Sequence, residues 1–117
     1  MTLIQRSGDL LAASCAGVNE IQYTALLMMI AKATGYEPGV FSHYIANEQL
    51  YTHETYLKAA KEILKRYEEN LSTPFYHTVP KLILNTEKMN FYDFTIDDFE
   101  IKDYEPIKPQ LKFELGI

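Results

Sequence analysis

Within Gln5-Arg6-Ser7-Gly8-Asp9 the chain offers a guanidinium, a hydroxyl and a carboxylate in quick succession, and Asn19 adds a carboxamide a little further on. Each group suits a part of one small molecule. The flat fork of an arginine and a neighbouring hydroxyl can both donate to phosphate oxygens. A carboxamide can donate to one atom of a pyrimidine edge and accept from the next. Together they point to a nucleotide site. The plainer readings are Arg6 as a surface arginine paired with Asp9, Asn19 as a helix cap, and Tyr51 as a packing residue.

These groups need elements to hold them. Leu3 and Ile4 open a strand read over Thr2 to Leu11, which passes into a loop whose small residues are Ser14-Cys15-Ala16-Gly17-Val18. Asn19, with Gln22 three residues on, fits the start of a helix over Glu20 to Thr34. That helix is apolar nearly all round, the pattern of a buried element, and Gly35 is placed to end it. Glu37-Pro38-Gly39 is a turn, and Val40 to Tyr51 a strand with His43 and Ile45 facing away from Tyr44. Thr55 to Tyr67 repeats Tyr56, Ala59, Ala60, Ile63, Leu64 and Tyr67 at helical spacing, with lysines, Glu62 and Arg66 outside. Asn70 to Val79 is a loop closed by Pro80, and Lys81 to Asn85 a short strand. Thr95 caps one helical turn at Ile96 to Phe99, with Asp97 and Asp98 in its first turn. Glu100 to Tyr104 and Lys108 to Leu115 read as strands, Leu111, Phe113 and Leu115 alternating with Lys112 and Glu114. The sum is an α+β fold, a mixed or antiparallel sheet packed on a central buried helix, in a single domain over residues 1–117.

Composition narrows the partners. A net charge of −5 argues against broad nucleic-acid binding, which needs a basic surface. A small anion held by one or two arginines remains compatible with it. One cysteine, Cys15, excludes an intrachain disulfide and fits a cytoplasmic setting. The longest apolar run, Ala25 to Ala31, is too short to span a bilayer, so no membrane role is expected. His43, His53 and His77 share no metal-ligand spacing, and no metal is assigned.

The motifs, taken in order, resemble the C-terminal part of thymidylate synthase. They are Gln5-Arg6-Ser7-Gly8-Asp9, Asn19 with Tyr23, Gly35-Tyr36-Glu37-Pro38-Gly39, Tyr51, Pro80-Lys81-Leu82, Ile96-Asp97-Asp98-Phe99 and Tyr104-Glu105-Pro106. Each is short, but their order and spacing run along essentially the whole chain. That family moves a one-carbon unit from 5,10-methylenetetrahydrofolate, its co-substrate, to C5 of dUMP, giving dTMP and dihydrofolate. The resemblance implies that Arg6 and Ser7 bind the dUMP phosphate. Asp9 lies in a network near folate and pyrimidine, Asn19 reads the uracil edge, and Tyr51 bonds the ribose. Leu11 and Ala12 belong to a wall against folate, and Ile117 to a terminus that folds over the site and excludes water. The family acts as a homodimer, so a homo-oligomer is expected here.

The departures are as informative. Gln49 stands where the family usually has a histidine two residues before the ribose tyrosine, and an amide can still bond the ribose. Gly8 replaces the usual cysteine between serine and aspartate. The loop before Asn19 lacks the common Pro-Phe pair and is longer. The family nucleophile belongs to an upstream Pro-Cys-His segment that this sequence does not contain. Cys15 has no matching histidine and reads as a structural cysteine. The chain is therefore expected to hold part of a dUMP site and to be inactive by itself. Two rivals accompany this reading: a pyrimidine nucleotide hydroxymethylase of the same fold, and a non-catalytic oligomerising remnant. Asn19 favours uracil over cytosine, because a cytosine edge offers a donor where uracil offers an acceptor.

Overall fold

The computed structural model describes residues 1–71 and 79–114. The chain begins with β1 (Thr2–Gln5) and β2 (Gly8–Asp9), makes a loosely wound π-helical turn over Leu10–Cys15, and enters α1 (Val18–Thr34). It returns through β3 (Ser42–Ile45) and β4 (Glu48–Gln49) to α2 (Glu54–Asn70). Then come β5 (Lys81–Leu84), single 3₁₀ turns at Phe91–Asp93 and Ile96–Asp98, and β6 (Phe99–Lys102). Parallel pairs (β1 with β3, β2 with β4) and one antiparallel pair (β5 with β6) make the architecture α+β with mixed pairing.

The two parallel pairs share one offset. Thr2 to Gln5 face Ser42 to Ile45, and Gly8 and Asp9 face Glu48 and Gln49, so each residue meets the one 40 positions later. They form one ribbon, interrupted at Arg6-Ser7 on one strand and Ala46-Asn47 on the other. Bonds from Ala46 N to Gln5 O (2.9 Å) and from Gly8 N to Asn47 O (3.0 Å) close the ladder on either side of the gap. The strand expected over Thr2 to Leu11 is thus two short strands, and the one over Val40 to Tyr51 is likewise two. The predicted alternation holds: His43 and Ile45 turn inward while Tyr44 is exposed.

Two glycines set the limits of α1. Gly17 at φ 66° precedes it and Gly35 at φ 77° follows it, both in the left-handed region that costs glycine little. Gly35 N–H bonds Lys32 O and Tyr36 N–H bonds Ala31 O, a Schellman closure. The helix therefore starts before Asn19, which is not its cap. Its burial by this chain is partial: only Ala31 is buried, and Val18, Ile21 and Ile30 are exposed. The loop expected at Ser14-Cys15 is instead the end of the π turn, where Ala16 N–H reaches back five residues to Leu11 O.

α2 runs slightly beyond its predicted span at both ends. It buries Tyr56 and Ala59, which with Leu11 form the core; Tyr51, Ala60, Ile63 and Phe113 pack around them. The polar face carries i,i+4 ion pairs, among them Lys58–Glu54 and Arg66–Glu62. No strand forms over 108–114, the described part of the expected last strand. Pro109 has no N–H for a ladder. Its carbonyl instead accepts from Arg66 Nη1 at 2.8 Å, which ties the tail to α2.

Candidate functional site

Two polar clusters flank the gap in the ribbon. The first lies on the β1 side. Gln5 points inward from β1, and its Nε2 donates to Ser7 O at 2.8 Å. Its Oε1 accepts from Asn19 Nδ2 at 2.9 Å and meets His43 Nε2 at 3.0 Å. His43 Nδ1 lies 2.8 Å from Glu20 Oε1, the imidazole side chain only 10% exposed. Strand pairing brings Gln5 and His43 together, and the first turn of α1 brings Asn19 and Glu20. Asn19, freed from capping, is thereby held beside the Gln5–Ser7 backbone.

The second cluster lies on the β2 side. Asp9 precedes the π turn with extended backbone, and its Oδ1 accepts from the amides of Leu11 and Ala12, each at 2.9 Å. An aspartate in this position satisfies amides that the turn leaves without partners. The hydroxyl of Tyr56 also donates to Asp9 Oδ1, and Leu11 N–H reaches that hydroxyl at 2.9 Å. Burial, then the bond to the Asp9 carboxylate, push the Tyr56 phenol up to about 12. Asp9 faces Gln49 across β2 and β4. Tyr51 donates to Gln49 Oε1 at 3.0 Å and meets Tyr56 edge-on at 5.4 Å.

Of the residues expected at a site, Asp9, Leu11, Ala12, Gln49 and Tyr51 gather in one cluster, and Asn19 and the Ser7 backbone in the other. Arg6 lies between them at the gap, exposed, with no ion-pair or hydrogen-bond partner among the described residues. Its pairing with Asp9, the plainer reading, does not occur: Asp9 is engaged by Leu11, Ala12 and Tyr56. Tyr51 does pack, as its plainer reading held, while its hydroxyl also reaches Gln49. Ile117 lies outside the described residues, as does His77.

Gly8 packs closely in the ribbon: a Cβ there would meet Ile45 side-chain carbons at 3.3 Å. Burial and the carboxylates of Glu48 and Asp9 raise the Cys15 thiol. That is the wrong direction for a nucleophile, which acts as thiolate. Asp98 accepts from Lys88 Nζ at 2.8 Å and from Thr95 N–H at 2.7 Å, which hold its carboxyl down at about 2. It is a turn-closing group, as expected, rather than half of a catalytic dyad. Leu11, Ala12 and Cys15 face Ile63 and Phe113 across an open groove of about 950 Å³. Among the described residues no three His, Cys, Asp or Glu side chains are grouped to hold a metal ion, and no helix is long and apolar enough to cross a membrane.

Gln5, Glu20, His43 and Tyr56 carry this geometry without having been singled out for a role from sequence. Tyr56 had one legible signal: a tyrosine on the buried face of a helix needs a partner for its hydroxyl. Gln5 and His43 had none in local pattern, because 38 residues separate them.

Comparison with known proteins gives a consistent result. A family model described as thymidylate synthase matches residues 1–117. Thymidylate synthase from Streptococcus pneumoniae (strain ATCC 700669 / Spain 23F-1) is 43% identical over 117 residues, covering 99% of this chain and 38% of that protein. The Streptococcus thermophilus (strain LMD-9) protein of the same name is also 43% identical, over 99% of this chain and 37% of its own length. A solved structure, thermostable thymidylate synthase A from Bacillus subtilis, superposes with a TM-score of 0.69 at 34% identity, over 96% of this chain and 36% of that one. The chain spans little more than a third of the length of the relatives it matches.

Proposed function

Because the chain belongs to the thymidylate synthase family, we propose that it carries the phosphate-gripping and uracil-reading part of a dUMP site, used in converting dUMP to dTMP with methylenetetrahydrofolate. The observation that supports this most directly is the Gln5 side chain. It bonds Ser7 O and Asn19 Nδ2 at once, which ties the phosphate-binding candidates and the base-reading candidate to one point of the fold.

In this reading each group has chemistry left over for a ligand. Arg6 has no partner among the described residues and presents its fork to a phosphate, with the Ser7 hydroxyl beside it. Asn19 spends one N–H on Gln5. Its other N–H donates to uracil O4, and its Oδ1 accepts from N3–H. Tyr51 gives its proton to Gln49, so its phenolic oxygen remains an acceptor for the ribose hydroxyl. Leu11 and Ala12 line the groove that faces the folate ring. Asp9 keeps Oδ2 for the reacting molecules while Oδ1 holds the π turn and Tyr56. The nucleophilic thiolate comes from outside this sequence, so the single chain binds without turning over. We assign residues 1–117 to one domain of that larger site, acting as a homo-oligomer in the cytoplasm.

The test is isothermal titration of the chain with dUMP, beside Arg6→Ala. Loss of a charge-assisted phosphate contact is worth about 1.5–3 kcal/mol, so the variant binds at least about tenfold more weakly. Identical affinity in both proteins, or no binding to either, refutes the reading.

A further inference from the structure

A carboxylate that meets a ligand must be held still, and Asp9 is held from two directions. The amides of Leu11 and Ala12 fix its Oδ1 to the π turn. The third donor to the same oxygen, the Tyr56 hydroxyl, comes from α2, 47 residues away. The proton of that hydroxyl has one destination. Leu11 N–H lies 2.9 Å from the phenolic oxygen and can only donate to it, so the O–H turns to Asp9. The phenol, pushed up to about 12 by burial and by its bond to Asp9, keeps that proton at neutral pH.

The ring that carries the hydroxyl is equally confined. Tyr56 is 0% exposed. Tyr51, His53 and Phe113 meet it edge-on, with centroids at 5.4, 5.5 and 5.3 Å. Tyr51 donates in turn to Gln49, and Gln49 pairs with Asp9 across β2 and β4. The contacts close a circuit from Asp9 through Tyr56, Tyr51 and Gln49 back to Asp9. A satisfied circuit of this kind stiffens all of its members. Phenylalanine would fill the same space and offer its neighbours the same edges; what the hydroxyl adds is the tie to Asp9.

We propose that Tyr56 is a positioning residue for two ligands at once: its ring sets Tyr51 and its hydroxyl sets the Asp9 carboxylate, so that the nucleotide and folate groups of the site share one frame. With Oδ1 taken by three donors, Asp9 receives a ligand through Oδ2, and that ligand must bring an N–H or O–H. The proposal rests on the reading of Tyr51 as ribose-binding and of Asp9 as the carboxylate beside folate. It adds a residue that touches neither molecule and orients the groups that meet both.

The roles of ring and hydroxyl can be separated. Titrations of the 117-residue chain and of its variants measure dUMP first, then folic acid added to the dUMP-loaded protein. Carbon NMR relaxation of the Asp9 carboxyl is followed in the free proteins. Tyr56→Phe keeps the ring contacts: dUMP affinity stays within about twofold, folic acid affinity falls at least about fivefold, and the Asp9 carboxyl becomes more mobile. Tyr56→Leu removes ring and hydroxyl together, and both ligands weaken. A role in packing alone would leave the folic acid affinity of Tyr56→Phe unchanged, or weaken both ligands equally, and either result overturns the proposal. Unchanged mobility of the Asp9 carboxyl in Tyr56→Phe overturns it as well, without reference to any ligand. Should Tyr56→Phe fail to fold, the hydroxyl proton of the unaltered chain decides. Slow exchange and a nuclear Overhauser contact with the Leu11 amide support the tie, and rapid exchange with water overturns it. If the unaltered chain binds no dUMP or no folic acid, it is the proposed site that fails, and the carboxyl mobility and the hydroxyl proton still judge Tyr56.

Discussion

α1 and α2 each contain 17 residues, yet they stand in opposite relations to the rest of the chain. α2 is amphipathic. It sends Tyr56 and Ala59 into the core and turns lysines and glutamates outward. α1 is apolar on nearly every side, has one buried residue, and leaves Val18, Ile21 and Ile30 exposed. Separately, on the face of β1 and β3 that turns away from α1, the paired residues Ile4 and Tyr44 are 74% and 61% exposed. Exposed apolar patches of this kind mark surfaces that associate. α2 is a helix whose partners this chain supplies; α1 carries more apolar surface than this chain covers.

The contrast is open to attack at its strongest point first. Tyr56→Ala removes a fully buried aromatic from the core and costs about 3–5 kcal/mol in urea denaturation. A loss below about 1 kcal/mol would mean that α2 is not anchored as described. The hydroxyl of the same residue gives a smaller effect with a definite sign. The phenol titrates at 10.0 when unperturbed and is pushed up to about 12 in the folded protein. The fold thus retains a proton that the unfolded chain gives up. Its contribution is intact below pH 10 and fades as pH climbs toward 12, by about 3 kcal/mol in all. Tyr56→Phe has no such alkaline loss, so denaturation of both proteins at pH 8 and 11 isolates it. The smallest effect belongs to α1. Ile21→Ser and Ile30→Ser alter stability by no more than about 0.5 kcal/mol and, if the proposed homo-oligomer forms through α1, shift sedimentation toward the monomer. A cost comparable to that of Tyr56→Ala would erase the distinction between the helices.

Much of this was legible from residue order. α2, β5 and the Thr95 turn follow from periodicity, alternation and cap chemistry, which are local. The start of α1 was misplaced because Asn19 has the composition of a cap, and the chain used Gly17 instead. The π turn was hidden, although Asp9 ahead of Leu10-Leu11-Ala12-Ala13 carries a capping signature of its own. The tail shows what alternation means: Leu111 and Phe113 are half-buried and Lys112 and Glu114 exposed, as expected, yet no ladder forms. Alternation reports which face is covered, not whether a neighbouring strand exists. At the candidate site, the motif around Arg6 and Asp9 was recognisable, but Gln5–His43 and Asp9–Tyr56 join residues far apart in the chain, and only the fold brings them together.

The gap at Arg6-Ser7 and Ala46-Asn47 has one further consequence. Beside it, the identity of a side chain is constrained by the side chains packed around it, as the tight fit of Gly8 against Ile45 shows. Inside it, that constraint is lifted. Substitutions at these positions edit what the protein offers to a visiting molecule without re-threading the strands. The opening works as a socket in an otherwise rigid frame, where new contacts can be tried while the frame keeps its alignment.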